Sequence, residues 1–353
     1  MTKSSTALGA FKTILFAGCG IAALSSAAFA EKIVISNWDG YMPPDLLENF
    51  TKETGIEVDM AVHGTNEEIM GKVVASGGRG YDVLFVSSPF AEALNNLGLA
   101  ATLDHAKIPN LSNLVDEATQ LAHDPGNTFS VPYTWGTTGL CYRSDQMDAP
   151  DSWNDLLKPS DELKGQTTML STDRWMMGAA ALALGKSVND TSDETLAAEK
   201  ELLVATKPTL LAFDDTTFYL KLVSGEAKMV QAWDGWCNYG IGENADIKYV
   251  IPSEGSDLWV DSILVTKASE HKDAAEAFIN YMLRVDVGTW VAENILYKVP
   301  NGAAMEAIDP SLYETFPNMA MKPSELLAFE QLRDLGKGQK AFARTVTEVM
   351  AAK

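Results

Sequence analysis

Ile33-Val34-Ile35-Ser36-Asn37-Trp38-Asp39-Gly40-Tyr41-Met42-Pro43-Pro44 opens the stretch that decides the fold. Ile33 to Asn37 is a short apolar strand that runs into a turn carrying Trp38, Asp39 and Tyr41. Pro43 and Pro44 suit the first turn of a helix, where the missing N–H costs nothing. Leu46, Leu47 and Phe50 give that helix one apolar face, and Gly55 ends it as a left-handed cap. Ile56, Val58, Met60 and Val62 then alternate with the period of two expected of a strand. A right-handed β-α-β unit of this kind puts the loop after its first strand at the carboxyl end of a parallel sheet, where open α/β proteins bind ligands. Indole and phenol faces attract a cation, and Asp39 adds a carboxylate beside them. A turn with buried aromatics is the plain structural alternative.

From Ser36 through Asn37-Trp38-Asp39-Gly40-Tyr41-Met42-Pro43-Pro44 to Val58, the residues resemble the mature start of the periplasmic spermidine/putrescine-binding family of ABC importers. The likeness continues over nearly all of the chain that follows. It implies a two-lobed α/β architecture, the type II periplasmic-binding fold, with a mostly parallel sheet in each lobe and the ligand between them. On this reading residues 31–137 and 262–305 form the N-terminal lobe, and 138–261 with 306–353 form the C-terminal lobe. It implies transport and not catalysis, an inner-membrane permease as partner, no cofactor, and a monomer.

The chain has 353 residues, 46% apolar and 21% charged, enough for two lobes with real cores. Residues 1–30 read as a secretory signal peptide: Lys3 and Lys12, an apolar run from Phe11 to Leu24, and the small-x-small site Ala28-Phe29-Ala30. The address is therefore periplasmic. Phe16-Ala17-Gly18-Cys19 is an imperfect lipoprotein box, with Phe in place of the usual Leu. Losing Lys3 and Lys12 with the leader takes the formal net charge from −21 to −23. Such a surface repels nucleic acid and anionic membrane and draws cationic solutes. Cys141 and Cys237 remain; an exported protein permits their disulfide, and two buried thiols are the alternative.

Further along, Thr65 reads as the cap of a helix through Ile69 to Ala75, and Tyr81 to Val86 as a strand buried on both faces that delivers Ser87 to a helix start. Val131 to Tyr142 is a long extended run, and the resemblance makes it the crossing between lobes. Gly240-Ile241-Gly242-Glu243-Asn244-Ala245 spells a dinucleotide fingerprint, but a strand follows it where that mechanism needs a helix, so it is rejected. The tail from Glu325 to Ala351 reads as helical. Metal spacing is absent from the sequence, and so are a His-Glu-x-x-His pair and a Gly-x-Ser-x-Gly elbow, which leaves no enzymatic motif. His105 and His123 fall in polar segments expected to be solvated.

Three strand ends carry an aromatic with an acid: Trp38/Asp39/Tyr41, Trp233/Asp234/Trp236 and Trp259/Asp261, the last two on one face by alternation. An ammonium leaves water at high cost unless it is paired, so a diamine site needs acids at both ends. The resemblance assigns Trp38, Tyr41, Ser87, Trp233, Trp259 and Asp261 to the cleft, with Asp39 in an acidic motif slot and Gln331 as a cleft glutamine. Thr172 and Trp175 occupy slots where the family carries an acidic pair, so Asp173 or Asp234 is expected to restore the distal site. If Arg174 faced inward, a zwitterion such as γ-aminobutyrate would fit instead.

Overall fold

The computed structural model describes residues 31–352. The expected leader and Cys19 lie outside these residues.

The β-α-β unit forms as read. Strand β1 (Lys32–Asn37) and strand β2 (Glu57–Val62) pair in parallel, Ile33 beside Val58 and Ile35 beside Met60. The helix between them, Leu46–Thr54, begins two residues later than the prolines suggest, because Pro43 and Pro44 form a lead-in turn in which the Pro43 carbonyl accepts from Leu46 N–H. Leu46 and Phe50 face the core, and Gly55 closes the helix at φ 76°.

The remaining strands are β3 (Val83–Ser87), β4 (Ser130–Arg143), β5 (Thr167–Met169), β6 (Ala212–Phe213), β7 (Met229–Trp233), β8 (Ile247–Val250), β9 (Asp257–Val265) and β10 (Glu330–Gln331). Their order is β2-β1-β3-β9-β4-β7-β5-β6, with β10 on β9 and β8 on β4. Long β4 belongs to two sheets. Its residues Ser130–Thr137 pair antiparallel with β9, and Thr138–Arg143 pair antiparallel with β7 and β8. Around this spine β1, β2 and β3 run parallel on one side, and β5, β6 and β7 run parallel on the other. The result is the mixed α/β arrangement of a type II periplasmic-binding protein.

Strand pairing moves the return crossing. All of β9, from Asp257, pairs within the first sheet, so the chain crosses back between Val250 and Asp257 and not at 261/262. The two crossings touch: the Ser256 hydroxyl accepts from Thr138 N–H (2.9 Å) and donates to the Thr138 carbonyl (2.7 Å). The tail is also not one helix. Glu330 and Gln331 pair with Asp257 and Leu258 in the first sheet, and the last helix, Gln339–Ala351, packs Phe342, Val346 and Val349 against the second. Gly336 at φ 50° marks the break between them.

Cys141 on β4 and Cys237 on the helix Asp234–Glu243 form a disulfide across 96 positions, fastening that helix to its sheet. Closing a loop of this length removes much freedom from the unfolded chain. Replacing both cysteines by alanine is expected to cost about 2–5 kcal/mol. Urea unfolding of the oxidised protein and the variant measures the difference, and matching midpoints would refute it.

Candidate functional site

Asp261 sits on β9 directly between Ser87 of β3 and Thr134 of β4 in the strand register. This places one carboxylate among three hydroxyls. Ser87 donates to Asp261 Oδ1 (2.6 Å) and Tyr41 donates to Oδ2 (2.8 Å), while the Tyr41 and Thr134 hydroxyls are 2.7 Å apart. Ser87 is itself fixed by Asn66, whose amide bonds both its N–H and its hydroxyl. Tyr133 donates to the Tyr41 carbonyl (2.6 Å), which pins the aromatic turn after β1 over the strand ends. Burial pushes the Asp261 carboxyl up, and the bonds from Ser87 and Tyr41 hold it partly down. A desolvated carboxylate with only neutral donors favours a cation at its remaining lone pairs.

Above it opens a cavity of about 390 Å³. Its first-sheet wall holds Trp38, Asp39, Tyr41, Ser87, Trp259 and Asp261, and also Asn66 and Glu67 from the start of the helix Asn66–Ser76. Its second-sheet wall holds Trp233 at the end of β7, Trp236 three residues on, Thr172 and Trp175 after β5, and Asp215 and Thr216 after β6. Tyr297 also lines the cavity. The rings meet edge to face: Trp38 with Tyr41 (5.5 Å), Trp259 with Tyr297 (4.8 Å), Trp175 with Trp233 (5.3 Å). Such pairs fix each ring's orientation and leave faces free to stack on methylenes. Glycine permits the closeness. A Cβ on Gly136 would lie 2.5 Å from Trp259, and one on Gly235 would lie 2.2 Å from the Tyr297 ring.

Seven of the ten expected residues thus line one cavity, and three do not. Asp234 is 1% exposed and forms an ion pair with Lys298, also accepting from Thr137 N–H (3.4 Å) and Gly235 N–H (2.9 Å). Its carboxylate is committed to the crossing beneath the cavity and is not offered to a ligand. Gln331 accepts from Ala122 N–H (2.8 Å) and bonds His123 (2.6 Å) on the far side of β9, because β10 pairs there. That same network corrects His123, which is buried and not solvated; burial lowers it to about 4. Asp173 is half-buried at its helix start, off the wall, and burial followed by the charges of Glu67 and Asp215 raises it to about 6.

Arg174 also resolves. Its guanidinium donates to the Arg333 carbonyl (2.6 Å) and to Asn189 Oδ1 (2.7 Å) and lies over Phe342, so it is turned into the second lobe and away from the cavity. The wall therefore presents Asp39, Glu67, Asp215 and Asp261 and, among the described residues, no Lys, Arg or His. None of these four acids forms an ion pair with a described residue. Glu67, Asp215 and Tyr297 were missed in the sequence. Asp215 is the second of two acids after the apolar pair Ala212-Phe213 and precedes a helix, the one local hint it gives.

A model of the bacterial extracellular solute-binding proteins matches residues 45–293. The chain belongs to this family. It is 33% identical over 303 residues to the spermidine/putrescine-binding periplasmic protein of Salmonella typhimurium, covering 84% of this chain and 86% of that one. It is 32% identical over 307 residues to a putrescine-binding periplasmic protein of Escherichia coli, covering 82% and 83%. Among solved structures, a spermidine/putrescine ABC transporter protein from Listeria monocytogenes superposes with a TM-score of 0.83 at 31% identity, over 92% of this chain and all of that one. These are solute-binding proteins of transport systems, and the solute-binding protein described here is likewise not an enzyme.

Proposed function

We propose that this solute-binding protein captures a polyamine in the periplasm, as a monomer, and hands it to the permease of an ABC importer. The observation that carries the reading is the wall of the cavity: four acids without a cationic partner, interleaved with tryptophans and tyrosines. Asp261 takes one ammonium, Tyr41 and Ser87 orient its carboxylate, and Trp38, Trp233 and Trp259 stack on the methylenes. A site between two sheets joined by extended crossings closes by hinge motion around its ligand, with no covalent step. The names of the relatives support the same ligand class.

A second reading has one observation in its favour. Thr172 and Thr216 line the second-sheet wall, and their hydroxyl groups are donors that would suit an oxygen-bearing ligand such as γ-aminobutyrate. Against it stand the surplus of acid on the wall and the outward turn of Arg174. Calorimetric titration of refolded, ligand-free mature protein with putrescine, spermidine and γ-aminobutyrate decides. Tight binding of an amine is expected; binding of γ-aminobutyrate alone would reverse the ligand assignment.

A further inference from the structure

The order of strands across the cleft puts the two held carboxylates on either side of three indoles, Trp259, Trp233 and Trp175. Asp261 and Trp259 come from β9; beyond β4 follow Trp233 at the end of β7, Trp175 after β5, and Asp215 after β6, the last strand of the second sheet. Asp215 is built like Asp261. Ser171 N–H (2.8 Å), Thr172 N–H (3.2 Å) and the Ser171 hydroxyl all donate to it, so its carboxylate is oriented by neutral donors and has no cationic partner among the described residues. Glu67 lines the same cavity from the first lobe, at the start of the helix Asn66–Ser76. The charges of Glu67 and Asp215 both push the Asp173 carboxyl up.

We propose that Asp215 is the carboxylate for the ligand's far ammonium, with Glu67 meeting it from the opposite lobe, and that this pair selects a triamine over a short diamine. The proposal rests on the polyamine reading above and adds the residue that measures length. Neighbouring strands are about 4.8 Å apart, and Asp215 is bonded to the Ser171–Thr172 turn after β5, three strands from β9, so it stands roughly 14 Å from Asp261. Allowing a hydrogen bond of about 2.8 Å at each end leaves roughly 8 Å between the two ammonium positions. With bonds near 1.5 Å, a four-methylene diamine separates its nitrogens by only about 6 Å, whereas a triamine with three further methylenes spans about 11 Å. A diamine bound at Asp261 therefore stops short of Asp215. A triamine passes both Trp233 and Trp175 and sets its last ammonium between acids of the two lobes. Neutralising Glu67 and Asp215 together removes a repulsion across the cleft, so the ligand's second charge also favours closure.

The experiment is calorimetric titration of the full mature protein and three variants with spermidine and with putrescine. Asp215→Asn is expected to lower the ratio of spermidine to putrescine affinity at least tenfold. Glu67→Gln, an exposed position with no structural bond, is expected to lower it in the same direction by several-fold, and it carries the test if Asp215→Asn does not fold. Asp261→Asn weakens both amines and leaves the ratio near that of the wild type. A ratio unchanged by both Asp215→Asn and Glu67→Gln, in a protein that binds amines, overturns the length assignment alone. A wild type silent to both amines overturns the polyamine reading and this inference with it.

Discussion

Asp261→Asn is expected to weaken polyamine binding by about 2–5 kcal/mol, the usual loss when one member of a buried, hydrogen-bonded charge pair is removed. At about 1.4 kcal/mol per tenfold, that is a loss of roughly 30-fold or more. Stability should move the other way. Burial raises the Asp261 carboxyl, so its ionised form costs the ligand-free protein free energy at any pH above the ordinary carboxylate range. The neutral amide removes that cost, keeps an oxygen to accept from Ser87 or Tyr41, and occupies the same volume. The ligand-free variant should therefore melt no lower than the wild type near neutral pH, and the wild type should gain on it as pH falls through the carboxylate range. Calorimetric titration and thermal unfolding on the same samples read both effects. An unchanged affinity would remove Asp261 from the site, and a lower melting temperature with weak binding would mean that the residue's role is structural.

Lys298→Met should carry the largest stability penalty. Lys298 and Asp234 are 3% and 1% exposed in their side chains, and the pair joins the β4 crossing to the start of the helix Asp234–Glu243. Removing the lysine leaves a carboxylate with only the N–H groups of Thr137 and Gly235 to compensate it, which costs about 3–5 kcal/mol. Asp234→Asn together with Lys298→Met removes both charges and should recover most of the loss, because the penalty comes from the unpaired charge and not from the missing contact. Urea unfolding of the single and double variants tests this. A single-variant loss below about 1 kcal/mol, in the range of exposed pairs, would mean that the pair is solvated. The same measurement separates two roles for Asp234. A residue facing the ligand would change affinity with little effect on unfolding, and the buried pair predicts the reverse.

The elements that were legible are those whose signals lie within a few residues. The period of two in Ile56 to Val62, the apolar face of Leu46, Leu47 and Phe50, and the cap at Gly55 are local, and they fixed the β-α-β unit and the aromatic turn at its carboxyl end. The alternation of Trp259 and Asp261 likewise sent both to one face, and the cavity contains both. The fingerprint-like glycines were correctly set aside: Gly240 and Gly242 lie within the helix Asp234–Glu243, and strand β8 follows them. The tail was misread because a two-residue strand such as Glu330–Gln331 carries no periodicity, and its pairing partner lies some seventy positions earlier in the chain.

The amino-acid sequence by itself determined the first β-α-β unit, its aromatic and acidic turn and the shared face of Trp259 and Asp261, because residue type and short-range alternation decide these; the fold family and the place of Asp261 in the cleft came from the resemblance of its motifs. Which acids face the cavity was decided only by the tertiary structure. Asp234 and Asp215 look alike in sequence, each just beyond a strand and at or before a helix. Lys298, 64 positions away, claims the first as a buried partner, while the second meets only neutral donors and lines the cavity. A carboxylate's role depends on whether a cation reaches it through space, and local sequence does not contain that distance.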